Sequence, residues 1–179
     1  MLEVEAKVAL DGPDALRAAL HRLGAAGSPA LAEEDAFFIH PERDLTASDE
    51  ALRLRGSAGR FELTYKGPRQ VGAYKAREEI TVHTADDPTA LLLALGFRVG
   101  VRLRKTRERH RLAALEVTID HVEGLGWFAE VEAMAADARA AEASVRAAMR
   151  ELGLDARPRV LESYVELALA AGAPAAARE

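Results

Sequence analysis

The 179-residue chain carries 24 basic and 29 acidic side chains, a net charge of -5, and no cysteine. This balance excludes the broad basic footprint of a nucleic-acid binder, and the lack of cysteine excludes a disulfide framework or a thiolate metal site. No apolar run approaches the roughly 20 residues needed to span a bilayer, and Met1-Leu2-Glu3-Val4-Glu5 has no basic segment leading into an apolar one, so the expected location is cytoplasmic, with no membrane partner.

The first predicted strand, Leu2–Val8, alternates Glu3, Glu5 and Lys7 with Leu2, Val4, Ala6 and Val8. A period of two puts the charges on one face and the apolar groups on the other. Asp11-Gly12-Pro13-Asp14 opens a helix bearing Leu16, Ala19, Leu20 and Leu23, which Gly24 ends. Phe37-Phe38-Ile39 reads as a short strand and residues 40–50 as a loop. Ala51–Arg55 alternates again, with Arg53 and Arg55 on one face, and turns at Gly56–Gly59 into Phe61–Lys66, whose Glu62, Thr64 and Lys66 share a face.

Ala73–His83 places Lys75, Arg77, Glu79 and Thr81 on one parity, and Asp86-Asp87-Pro88 opens a second helix with Leu91, Leu92 and Leu95. Val99–Leu115 holds a long hairpin, its first strand aligning Lys105, Arg107 and Arg109. Leu115–Asp120 and Trp127–Glu132 follow as strands, with Glu116, Thr118 and Asp120 on one face and Glu130 and Glu132 on another. From about Ala136 the spacing is helical, Val145, Ala148, Met149 and Leu152 forming a stripe closed by Gly153; Leu161–Ala170 is a last short helix and 171–179 a disordered tail. The order strand, helix, strands occurs in both halves.

Strands that each carry charge on one side and apolar groups on the other can close into a barrel with a charged lumen, helices outside. Such a lumen collects Lys7, Arg53, Arg55, Lys66, Arg77, Lys105 and Arg107 beside Glu3, Glu5, Asp120, Glu130 and Glu132. Unpaired burial of these charges is prohibitive, so each must be paired, solvated or matched by a ligand. A polyphosphate with a divalent metal matches both signs, since cations meet phosphate oxygens and hard carboxylates hold Mg²⁺ or Mn²⁺. An ion-pair network that only solubilises a polar barrel would produce the same faces. No Gly-rich phosphate loop, zinc-type histidine pair or nucleophile elbow is present.

Glu3-Val4-Glu5-Ala6-Lys7 is an ExExK signature. With Asp49–Arg55, Leu63–Pro68, Arg77–Glu79, Lys105–Arg107, Asp120–Gly126 and Phe128–Glu132 in that order, residues 1–170 resemble one CYTH domain of the triphosphate tunnel metalloenzymes, closest to the class IV adenylyl cyclase branch. The resemblance implies an α+β fold, an eight-stranded antiparallel β-barrel tunnel with helices packed outside. It implies Glu5 and Glu130 as leading metal ligands for Mg²⁺ or Mn²⁺, with Glu3, Asp120 and Glu132 supporting, and Glu5, Asp120, Glu130 and Lys105 as catalytic. Lys7, Arg53, Arg55, Lys66, Arg77, Lys105 and Arg107 would hold the phosphates. The expected reaction converts ATP to cyclic AMP and pyrophosphate; hydrolysis of thiamine triphosphate or inorganic triphosphate is the alternative, and a non-catalytic polyphosphate module a remote one. A homodimer fits the family. Leu161-Glu162-Ser163-Tyr164 departs from the basic residue that the family tends to carry before Ser-Tyr.

Overall fold

The computed structural model describes residues 2–69 and 75–172. Nine strands and four helices follow in chain order among these residues: β1 (Leu2–Leu10), α1 (Asp14–Arg22), β2 (Ala26–Gly27), β3 (Leu31–Ile39), β4 (Ala51–Ser57), β5 (Arg60–Lys66), β6 (Lys75–Thr84), α2 (Thr89–Ala94), β7 (Arg98–Leu112), β8 (Leu115–Val122), β9 (Gly126–Ala135), α3 (Ala138–Glu151) and α4 (Tyr164–Ala170). The neighbour order β7-β3-β4-β5-β6-β1-β9-β8 is closed by pairing of β7 with β8, giving an eight-stranded antiparallel barrel; β2 adds two residues beside β7.

Closure explains why β1 is buried on both faces despite its charges: Val4 is 0% exposed and Lys7 only 3%. A strand on an open sheet would leave its charged face in water. The apolar parity packs outward under helices instead. Val4, Ala6 and Val8 meet Leu16 and Leu20 of α1 and Val145 and Met149 of α3, joined by Val117, Ile119 and Val131 of β8 and β9. Burial of each such large side chain contributes on the order of 1.5–3 kcal/mol. A second apolar cluster sets Leu92 of α2 over Ala36, Phe38 and Leu54. Leu91 and Leu95 stay exposed, so one leucine of that expected stripe docks α2.

Exchanging the two halves, β1-β3-β4-β5 for β6-β7-β8-β9, leaves every strand pairing of the barrel unchanged. The repeated element order is thus a pseudo-twofold topology.

Several boundaries move. The strand expected at Phe37–Ile39 starts at Leu31, because Glu33, Asp35 and Phe37 alternate with Glu34, Ala36 and Phe38 along a ladder to both β4 and β7. The last helix starts at Tyr164, where Ser163 caps it in a reciprocal pair with Glu166. Lys75 lies in β6, and the tail beyond residue 172 lies outside the described residues. No helix among the described residues is long and apolar enough to cross a membrane.

Candidate active site

The acidic wall of the lumen comes from β1 and β9, whose register sets Glu5 opposite Glu132 and Lys7 opposite Glu130. One carboxylate oxygen from each of Glu3, Glu5 and Glu132 lies within 4.8 Å of the others. Burial pushes the Glu3 carboxyl up to about 7, Glu79 and Glu5 adding to the rise and Lys66 opposing it. Glu132 is likewise pushed well above the usual carboxylate range, by burial and then by Glu3. Three converging hard oxygen donors, two of them reluctant to carry charge unaided, are a donor set suited to a divalent cation.

The basic wall comes from β4 and β7, and each of its cations is oriented by a carboxylate. Asp35 accepts from Arg55 Nε at 2.7 Å and Nη2 at 2.9 Å, and from Lys105 Nζ at 3.1 Å. Burial alone would raise the Asp35 carboxyl, but Lys105 and Arg55 outweigh it and hold it well below the usual range. Glu33, fully buried, stands 3.1 Å from Arg55, 3.4 Å from Lys105 and 2.5 Å from Arg109. Arg107 donates to Asp120 at 2.7 and 2.5 Å and to Glu130 at 2.5 Å. Burial pulls Lys105 down to about 8, with Arg107 and Arg55 contributing.

Arg53 donates to Glu62 at 2.9 Å and to Thr64 at 3.2 Å, while its buried Nε finds no acceptor among the described residues. A guanidinium N–H buried without an acceptor calls for a ligand oxygen or water. Lys66 pairs with Glu79 and stands 4.0 Å from Glu3, linking the two walls.

The structure therefore brings all the sequence-predicted residues except Asp120 into the lining of one cavity, in different settings. Glu3, Glu5 and Glu132 form the carboxylate cluster. Glu130 sits next to it, 3.2 Å from Lys7 and bonded to Arg107. Asp120 lies outside the cluster, 0% exposed, accepting from Arg107 and from the Tyr164 hydroxyl at 2.8 Å. Arg77 lines the cavity 3.6 Å from Glu79.

Glu33 and Asp35 were missed because Glu33-Glu34-Asp35 reads as a polar run, its alternation hidden by an outward acid that pairs with Arg102 and Arg104. Glu62 and Glu79, which share a parity with Lys66 and Arg77 in the sequence, line the cavity with them. The departing segment reaches the lumen differently from expectation: the Glu162 carbonyl accepts from Lys7 Nζ at 3.3 Å, and Tyr164 reaches Asp120.

The cavity measures about 600 Å³ and, among the described residues, is lined by nine basic and eleven acidic side chains. The lining also carries an apolar patch, in which Phe37, Val101, Leu103 and Val165 belong to one cluster. A groove of about 610 Å³ over β3, β4 and β7 contains the Glu34 ion pairs with Arg102 and Arg104 but, among the described residues, no cluster of converging carboxylates.

Residues 1–164 match the CYTH domain. The chain belongs to the CYTH family. CYTH proteins are in general enzymes that act on triphosphates with a divalent metal. This CYTH chain is 35% identical to MJ0240 of Methanocaldococcus jannaschii, a protein provisionally named an adenylate cyclase, over 93% of the chain and 98% of the relative. It is 32% identical to adenylate cyclase CyaB of Aeromonas hydrophila, over 75% of the chain and 70% of that protein. Among solved structures, the PH1819 protein from Pyrococcus horikoshii superposes with a TM-score of 0.81 at 32% identity, covering 94% of this chain and 98% of that one. A Hippeastrum protein described as having a dominant triphosphatase activity shares the fold, with a TM-score of 0.69 at 18% identity, covering 95% and 96% of the two chains.

Proposed function

We propose that the tunnel converts ATP to cyclic AMP and pyrophosphate with Mg²⁺ or Mn²⁺. The observation that carries this reading is the sign of the lumen. Cations capable of gripping phosphates face a carboxylate cluster, and acids outnumber bases in the lining. Even with Glu3 and Glu132 protonated the wall has no surplus positive charge, so a bare polyphosphate gains little there. A triphosphate with a divalent cation satisfies both walls. Glu3, Glu5 and Glu132 would hold the cation, with Glu130 beside them; when bound it neutralises phosphate oxygens and polarises the phosphorus under attack.

The chain's own residues do the rest. Arg53, Arg55, Lys66, Lys105 and Arg107, each pre-oriented by a carboxylate or a hydroxyl, fix the triphosphate and stabilise the charge that gathers on the leaving pyrophosphate. The ribose 3′-oxygen bonds to the α-phosphorus, the bond from that phosphorus to the α,β-bridging oxygen breaks, and pyrophosphate leaves with its electron pair. A lumen carboxylate takes the hydroxyl proton. The apolar patch in the cavity lining supports an organic triphosphate over an inorganic one, because it offers a wall for an aromatic base. The cyclase names of the two sequence relatives point the same way.

Mn²⁺ titration followed by electron paramagnetic resonance tests the carboxylate assignment. Glu5→Gln is expected to remove the tight Mn²⁺ signal and to lower turnover by at least about a hundredfold while the protein melts like the wild type, a loss in the range seen when one electrostatic contact to the reacting centre is deleted. Wild-type Mn²⁺ affinity and turnover in this variant would contradict the assignment.

A further inference from the structure

Tyr164 opens α4, and its position is fixed twice over. Ser163 caps the helix and Glu166 returns the bond to the Ser163 backbone, while Arg69 clamps Glu166 at 2.9 Å and also binds Asp49, all three lining the cavity. The Tyr164 ring packs edge-on against Phe128, centroids 5.1 Å apart, and Lys7 Nζ stands 4.1 Å from its centre. Thus held, the hydroxyl donates to Asp120 Oδ2, the oxygen that also receives Arg107 Nη2. Arg107 is in addition pulled toward Glu130, so its guanidinium is balanced between two carboxylates. A donor on Asp120 decides how firmly that side of the fork is held.

We propose that Tyr164 is a positioning residue that acts through Asp120 to aim Arg107 at the triphosphate, so that the seating of α4 is read out at a phosphate-binding cation. The claim rests on the triphosphate reading of the tunnel but concerns a residue which the phosphate cannot replace, since the hydroxyl is directed at Asp120. Burial, then Glu130 and Asp120, push the phenol well above its ordinary range, so it stays a donor across the physiological range. A seven-residue helix has little stability of its own, which is why its first residue needs the Arg69 clamp and the Ser163 cap to stay in register.

The test is a double-mutant cycle on the full chain, with inorganic triphosphate and Mg²⁺ as the calorimetric probe. Tyr164→Phe keeps the ring and its packing but removes the donor, and is expected to weaken binding about tenfold, the scale of a lost hydrogen bond to a charged group, with a melting temperature close to wild type. In an Arg107→Lys background, where there is no fork to aim, the same change should cost less than about twofold. If Tyr164→Phe does not melt cooperatively, Asp120→Asn takes its place in the cycle with the same non-additivity expected. Equal losses in both backgrounds, or no loss in the single variant, overturn the positioning role. A wild-type protein that fails to bind the probe overturns the triphosphate reading, and this inference with it.

Discussion

Lys105 shows how a single residue is tuned by its surroundings. It is buried, flanked by Arg55 and Arg107, and held at about 8 despite its contacts with Asp35 and Glu33. Below about pH 8 it is charged in both the folded and unfolded chain. Between about 8 and the ordinary lysine value of 10.5 only the unfolded chain keeps the proton, so this residue's contribution makes the fold relatively more stable as pH rises through that window. A phosphate placed beside Lys105 restores the charge. Beyond the protons that Glu3 and Glu132 release to the metal, binding of ATP with Mg²⁺ at about pH 9 is therefore expected to take up about one proton at Lys105, and much less near pH 7, measured by calorimetry in buffers of different ionisation enthalpy. Lys105→Arg, whose charge does not titrate, should bind without that uptake; the same uptake in the variant would remove Lys105 from the phosphate site.

The lumen residues that alternate cleanly, such as Glu3, Glu5 and Lys7, could be read from the sequence because parity alone assigns a face. Asp35 could not, since its role depends on Arg55 and Lys105, 20 and 70 residues away.

Among the elements, the β4–β5 hairpin is a place where local sequence and local geometry conflict. Ser57 pairs with Arg60 across a two-residue turn whose central residues, Ala58 and Gly59, have φ of 48° and 74°. Glycine tolerates this, whereas alanine's Cβ makes the left-handed region cost about 1–2 kcal/mol. Ala58→Asn is expected to raise stability by about 1 kcal/mol in urea denaturation, with activity unchanged, because asparagine accepts this conformation far better. A loss of stability would mean that the turn is not strained.

Element types were largely legible, through the period-two strands and the apolar stripes of α1 and α3. Element lengths were less so. The acidic start of β3 looks like a loop because its buried acids are paid for by arginines and a lysine on other strands, which no local pattern reveals. The shortening of the last helix to Tyr164–Ala170 follows from the Ser163 cap, a signal present in Ser163-Tyr164-Val165-Glu166.

At the scale of the molecule, barrel closure turns eight half-charged strands into one cavity, and the chemistry follows from which walls face each other. The recurrence of alternation made the closed barrel readable; the near-neutral sum of its lining did not follow from any one strand. That sum suits a metal–triphosphate complex better than a bare anion, and the buried Arg53 Nε that finds no acceptor among the described residues is a feature a self-contained ion-pair network would not leave.

The most direct measurement is product analysis by chromatography and ³¹P resonance after incubation of the purified protein with ATP and Mg²⁺ or Mn²⁺. Attack at the α-phosphorus predicts cyclic AMP and pyrophosphate in equal amounts, lost on chelation of the metal. Orthophosphate with ADP and no cyclic product would contradict the cyclase reading and assign the tunnel to triphosphate hydrolysis.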